Sequence, residues 1–387
     1  MKNKYKIVEI RLTPVTPFFF GKENMSEMGN KNDYFQISSE YPQQTGLLGF
    51  LRHKILRDNN INLDANSFND FNNDAQALIG KRGFEENNSG LSFYGKINSI
   101  SPCFIINESS EYLWDRSCEY VDNSGVPEEI ILNDKKDGFI WWDSKKNIQT
   151  KYLSKHFLYK QFNNILKKEL IHSDNYIGSY KGGVKPTVKE DSYFIMAYNN
   201  LLKKSLVFEI ERLKFNKIAP LSFGFFACVE NDCRISELPD FMPMGKEKSY
   251  FKVETTVFKS EFELNQIFPD FSAFMQLTGD STPNHVLKCV LLSDARLNDC
   301  DLQNLENICL MQIVNQNRFR YIKSATGKFF SGAKPVKVNM AFNLLSKGSV
   351  MFIKKEDKTK IENLFNKYLD FKQIGYNYIH FSNAKTI

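Results

Sequence analysis

The sequence predicts an α+β protein made of two successive units of the split βαβ kind, and three observations lead there. Its 387 residues exceed what one ordinary core holds, since domains commonly run to about 100–200 residues. Segments with the two-residue period of a strand and segments with the period of a helix occur in both halves. Apolar residues make up 42% of the chain and aromatics 14%, with 12 prolines, a composition that builds packed cores.

Tyr5 to Leu12 alternates, with Val8, Ile10 and Leu12 on one face and Ile7, Glu9 and Arg11 on the other, and predicts the first strand. Thr45 can cap a helix in which Leu48, Leu51 and Ile55 fall at helical spacing, leaving Arg52 and Arg57 outward. A second alternation, Leu206, Phe208 and Ile210 against Val207, Glu209 and Glu211, follows the glycine- and lysine-rich stretch from Gly178 to Lys189. It places the change of domain near residue 203, giving expected domains 1–203 and 204–387. Ser349 to Ile353 reads as a short apolar strand. Ile361, Leu364, Phe365, Tyr368 and Leu369 form an i, i+3, i+4, i+7, i+8 stripe, which predicts a helix. Beyond Gly375, the run YNYIHF alternates again and can close a sheet.

The net charge of +6, from 51 basic and 45 acidic residues, is too mild to demand a polyanionic partner. Its distribution says more. Met311 to Lys355 holds nine Lys or Arg and no Asp or Glu, and between Lys151 and Lys189 eight lysines face only Glu169 and Asp174. Such segregation costs self-repulsion unless an anion lies against it, and a phosphate backbone is the usual candidate.

The seven cysteines are odd in number, scattered and without a C-x-x-C pair, so they read as reduced core thiols. The N-terminal MKNKYKIVEIRL places charge among apolar positions, unlike a signal peptide, and no apolar run is long enough to span a bilayer. A cytoplasmic protein without membrane contact is expected. Metal chemistry finds no H-E-x-x-H, HD or D-x-D cluster; Asp70 and Asp74 lie in an Asn-rich polar stretch. Gly80-Lys81-Arg82-Gly83 lacks the spacing of a phosphate-binding loop. A nuclease remains an alternative, with His53 as general base between Arg52 and Lys54, although His156, His172, His285 and His380 form no recognisable pair with it. A pure protein scaffold is the third class.

Six segments carry a resemblance, in order along the whole chain. They are TPVTPFFFGKE from Thr13, YPQQTGLLGFLRHKIL from Tyr41, GKINSISPCFI from Gly95, YIGSYKGGVKPTVKEDSYFIMAYNNL from Tyr176, MPMGKEKSYFKVE from Met242 and KGSVMFI from Lys347. Together they resemble the repeat-associated RAMP proteins of type III CRISPR effector complexes, and among them the branch that caps the guide RNA's 5′ handle in type III-B (Cmr) complexes. Two departures stand out. Gly245-Lys246-Glu247-Lys248 occupies the place of a Gly-Glu-Gly-Arg-like turn, keeping positive charge without arginine's planar fork. Before Lys334, Phe330-Ser331-Gly332 stands where the family has a Gly-Gly-Trp-Asp-like element.

The resemblance implies two tandem ferredoxin-like (RRM-like) domains with long inserted loops, and a role in antiviral defence. The implied partners are the crRNA 5′ handle, the large palm-domain subunit, a neighbouring RAMP backbone subunit and, indirectly, the target RNA. It brings no catalytic residues and no cofactor. Single-stranded RNA binding asks for loops whose backbone approaches phosphates, for cations and for stacking aromatics. The expected contacts are Gly46, Gly49, Arg52, Gly182, Gly183, Gly245, Lys181, Lys185, Lys246, Lys248, Lys328, Lys334 and Lys337, with Tyr180, Tyr250 and Phe329 as stacking candidates.

Overall fold

The computed structural model describes residues 4–15, 18–21, 35–61, 73–80, 84, 94–106, 112–113, 121–123, 126–128, 141–143, 148–150, 171–181, 188–201, 221–244, 249–258, 285–314, 316–319, 322–323, 336–337 and 342–384. Along the chain, strand β1 (Tyr5–Pro14) is followed by β2 (Phe35–Ser39), helix α1 (Gln44–Asp58), the short helix α2 (Asn73–Ile79), β3 (Ile97–Ile100) and β4 (Phe104–Ile106). A long hairpin, β5 (Ile171–Lys181) and β6 (Val188–Leu201), leads to β7 (Ser222–Glu230), β8 (Asp240–Met244) and β9 (Ser249–Phe258). The last part runs β10 (Val286–Leu291), α3 (Asp299–Ile308), β11 (Met311–Ile313), β12 (Val350–Lys354), α4 (Lys358–Asn366), α5 (Leu369–Gln373) and β13 (Ile379–Asn383). The expected strand around Leu206 lies outside the described residues.

The first sheet has the order β8-β9-β1-β7-β4, with β3 also on β7 and the short strand Tyr112–Leu113 on β4, and is antiparallel throughout. It spans residue 203, where the sequence pattern changes, because β1 takes both of its neighbours from beyond that point. Val8, Ile10 and Leu12 are fully buried, as their alternation requires. They share a core with Leu47, Leu51 and Ile55 of α1 and with Phe223, Phe225 and Val253 of the flanking strands. The phenylalanine-rich loop after β1 is part of this core: Phe18 lies 5.2 Å edge-on to Phe223, and Phe20 stacks at 6.0 Å on Phe251.

Helix α1 corrects two expectations. It starts at Gln44, and its N-cap is Gln43, which makes no side-chain cap bond; Thr45 falls inside the first turn. Arg52 points inward and is 7% exposed, with its guanidinium 5.2 Å from the Tyr94 ring. Tyr94 offers it a π-face, and its long aliphatic stem adds apolar packing. The C-terminal end of α1 is pinned by a buried Lys54–Asp58 pair at 3.0 Å, whose Asp58 Oδ2 also accepts the Ser236 N–H at 2.8 Å.

The second sheet has the order β11-β12-β10-β13, also antiparallel. Leu287, Cys289, Leu291, Met351 and Ile353 pack against Leu305, Ile361 and Phe365 of α3 and α4. Asn298 caps α3 by accepting the Asp301 N–H at 2.7 Å, and Asp299 and Asp301 in the first turn complement its dipole. The helix expected over 361–369 breaks at Tyr368. That residue leaves helical geometry, its hydroxyl donates to Asp301 Oδ2 and accepts the Asn298 N–H, and Leu369 is 68% exposed at the start of α5. The YNYIHF alternation forms β13 from Ile379, which closes the sheet on β10. Of the described cysteines, Cys103, Cys233, Cys289 and Cys309 are buried thiols, whereas Cys300 is exposed.

The two sheets meet at a seam. Phe371, Ile374 and Tyr376 enter the first core, with Phe371 4.9 Å edge-on to Phe84. Lys347 donates to the Cys103 carbonyl at 2.8 Å and stands 3.8 Å over the Tyr41 ring. Gly375 turns there with φ +93°, and a Cβ at this position would lie 2.6 Å from the Ser101 carbonyl oxygen. Only glycine fits both conditions.

Candidate nucleic-acid interface

Most of α1 is buried, and its open line consists of Gly46, Gly49, His53 and Arg57, spaced i, i+3, i+7, i+11. A Cβ on Gly46 or Gly49 would meet nothing within 4 Å among the described residues, so no described neighbour requires these glycines. A glycine inside a helix costs about 1 kcal/mol relative to alanine. What the pair provides is bare helical backbone at the surface, close to the helix N-terminus, where N–H groups and the dipole favour anions. Arg57 sits at the other end, 3.0 Å from Asp240 Oδ2 and 3.4 Å from the Phe241 carbonyl.

Between them, His53 is half-buried. Burial, then the charge of Arg57, lower its pKa against an opposing pull from Asp240, which favours the neutral ring. Arg52, expected as an RNA contact, is held inside. Burial lowers its pKa to about 10, partly opposed by Tyr94, and a cation so enclosed contributes to packing rather than to a phosphate contact.

Tyr250 is 50% exposed on β9, as a stacking residue has to be. Phe241, which the sequence reading missed, is 57% exposed on the neighbouring strand. The missed signal is the period of DFMPM: Met242 and Met244 are buried, so Phe241 and Pro243 face the other way. The register sets Phe241 opposite Lys252 and Pro243 opposite Tyr250, which brings Phe241, Lys252 and Tyr250 to one face.

The hairpin β5–β6 gathers another set. Tyr180 and Lys181 end β5; Ser179 lies opposite Tyr193 and Lys181 opposite Val188, with a bulge between 179 and 181. Gly182, Gly183 and Lys185 belong to the six residues that connect the strands and lie outside the described residues. The pairing of β6 with β2 covers only Ile195 to Ala197, so among the described residues the stretch from Val188 to Phe194 is paired through β5 alone. Lys337 lies opposite Ile322 in a separate two-stranded ladder. Gly245, Lys246, Lys248, Lys328, Phe329 and Lys334 lie outside the described residues. Among the described residues no group of three His, Cys, Asp or Glu could hold a metal ion, and no helix is long and apolar enough to cross a membrane.

No family model and no curated protein matches the sequence. Among solved structures, the chain is similar to a chain of the Type III-B Cmr-beta bound to cognate target RNA and AMPPnP, with a TM-score of 0.44 and 14% identity over 96% of this chain and 95% of that one. It is similar also to a chain of the Type III-B Cmr-beta bound to cognate target RNA, with a TM-score of 0.44 and 16% identity over 97% and 96%.

Proposed function

We propose that this chain is an RNA-binding subunit, without chemistry of its own, of a type III-B CRISPR effector complex, where it caps the 5′ handle of the guide RNA and docks the large palm-domain subunit. The ordered sequence resemblance supports the complex and the role. The observation that carries RNA binding is the β5–β6 hairpin. Its strands are 11 and 14 residues long, and the sequence from Tyr180 to Lys189 holds three lysines and two glycines and no carboxylate. A basic, glycine-containing segment between two paired strands has the composition that contacts to phosphates ask for. The strand orders support the ferredoxin-like reading. Numbered along the chain, the strands of the second sheet run 4-1-3-2, and the same order stands in the β9-β1-β7-β4 part of the first, whose edges carry β8 and Tyr112–Leu113 in addition, all with antiparallel neighbours.

The test is retention of a handle-bearing guide RNA. Lys181→Glu with Lys185→Glu should weaken it, and wild-type affinity should fall steeply with salt. A flat salt response, or no binding of guide at all, would refute the proposal. Incubation of repeat RNA in EDTA tests the nuclease alternative. Cleavage that disappears in His53→Ala would replace a binding subunit with an enzyme; intact RNA is expected.

A further inference from the structure

We propose that the open face of β8 and β9 is a stacking platform for single-stranded RNA, on which Phe241 and Tyr250 each take one base and Lys252, between them, takes a phosphate. This rests on the RNA-binding reading above and gives it a second surface, distinct from the hairpin end.

Register builds the platform. The two-residue period turns Tyr250 and Lys252 to the side opposite the fully buried Phe251 and Val253, and Phe241 lies directly across from Lys252. Phe241 and Tyr250 are thus diagonal neighbours, roughly 7–8 Å apart by strand geometry, within the span of successive nucleotides of a splayed strand. The Phe241–Lys252 row continues to Thr13, whose hydroxyl is 2.7 Å from that of the buried Ser222 and so closes the row on its inner side.

Charge selects the occupant. From Gly245 to Lys252, the hairpin connection and the start of β9 hold three lysines and one glutamate, complementary to a polyanion. Lys252 pairs with Glu254 at 2.7 Å, but both side chains are about 40% exposed, and such surface pairs are held weakly enough to exchange for a phosphate. A protein partner fits less well. Lysine is depleted from the cores of protein interfaces, yet here it stands between the two rings. Strand addition is closed as well: the outward N–H of Phe241 is taken by Asp240 Oδ1 at 2.7 Å, its carbonyl accepts from Arg57, and Pro243 has no N–H.

The experiment uses the full chain and a fluorescein-labelled oligouridine, read by anisotropy over a salt series. Phe241→Ala and Tyr250→Ala should each weaken binding roughly tenfold or more, leaving the slope of log affinity against log salt unchanged. Lys252→Ala should instead reduce that slope by about one. Phe241→Trp should restore binding and show quenched fluorescence with RNA. Wild-type affinity in the Phe241→Ala, Tyr250→Ala double variant overturns the platform while leaving the hairpin reading intact, as does a double variant that binds RNA normally but is lost from the assembled complex, which would make the face a protein dock. A wild-type chain that binds neither oligouridine nor guide overturns the RNA reading itself. Both rings are exposed, so circular dichroism should show the variants folded.

Discussion

Replacing Gly46 and Gly49 by alanine should make the free protein more stable and its RNA complex weaker. Both residues lie within α1, neither requires a left-handed backbone, and an added Cβ at either meets nothing within 4 Å among the described residues. Alanine therefore adds no clash and removes the conformational freedom that glycine gives the unfolded chain. In a helix interior the exchange is worth about 0.8–1.0 kcal/mol per site, and Gly46, in the first turn, should give the smaller share, so the pair should contribute roughly 1–2 kcal/mol. Urea unfolding followed by circular dichroism reads this as a higher midpoint at unchanged slope. The same variant should bind guide RNA more weakly, because two methyl groups then cover the backbone that a phosphate would approach. A lower midpoint would refute the claim that no described neighbour needs these glycines. A higher midpoint with unaltered RNA affinity would take α1 out of the interface.

Gly375→Ala should behave oppositely. It forces a side chain into φ +93° and places a Cβ 2.6 Å from the Ser101 oxygen, so a loss of about 3 kcal/mol or more is expected, read as a lower urea midpoint. His380, opposite Val290 in the second sheet, has its pKa lowered to about 4 by burial and then by the charges of Lys288 and Lys358. The unfolded chain therefore binds a proton there that the folded chain refuses; stability is complete above about pH 6.5 and falls as pH drops from there towards 4. His380→Gln should flatten that part of a plot of urea midpoint against pH, and an unchanged plot would show that the ring is not held neutral.

What was legible in the sequence was local. The alternation of Val8, Ile10 and Leu12 and the stripe through Ile361 and Phe365 are buried as their periods require, because a strand or helix with one apolar face has one way to turn it. The helix break at Tyr368 was not legible, since it depends on Asp301 and Asn298, distant in sequence, receiving the phenol. Nor was the inward turn of Arg52: helical spacing put it outside, and Tyr94, from a segment 42 positions away, made the inside tolerable. At the candidate interface, Tyr250 was found because it neighbours lysines, whereas Phe241 looked like core in a chain with 34 phenylalanines. Its exposure follows from register with β9, which no local pattern encodes.

The second sheet and the β9-β1-β7-β4 part of the first share one strand order but differ in one connection, and that difference bears on where the candidate surfaces lie. Between its third and fourth strands, the second sheet has α4 and α5, and α4 covers its face beside α3. At the corresponding place, from β7 to β9, the described residues of the first sheet hold no helix, only a turn and β8. A second helix there would pack beside α1 and cover a flank of it. Without one, the line from Gly46 to Arg57 stays open, and Arg57 reaches the edge of β8 instead. The same substitution adds a hairpin beyond the fourth strand, widening the opposite face of the sheet by the row that carries Phe241. One change of connection therefore opens the backbone of α1 on one side and builds the aromatic face on the other, with Arg57, Asp240 and Phe241 joining the two around the strand edge.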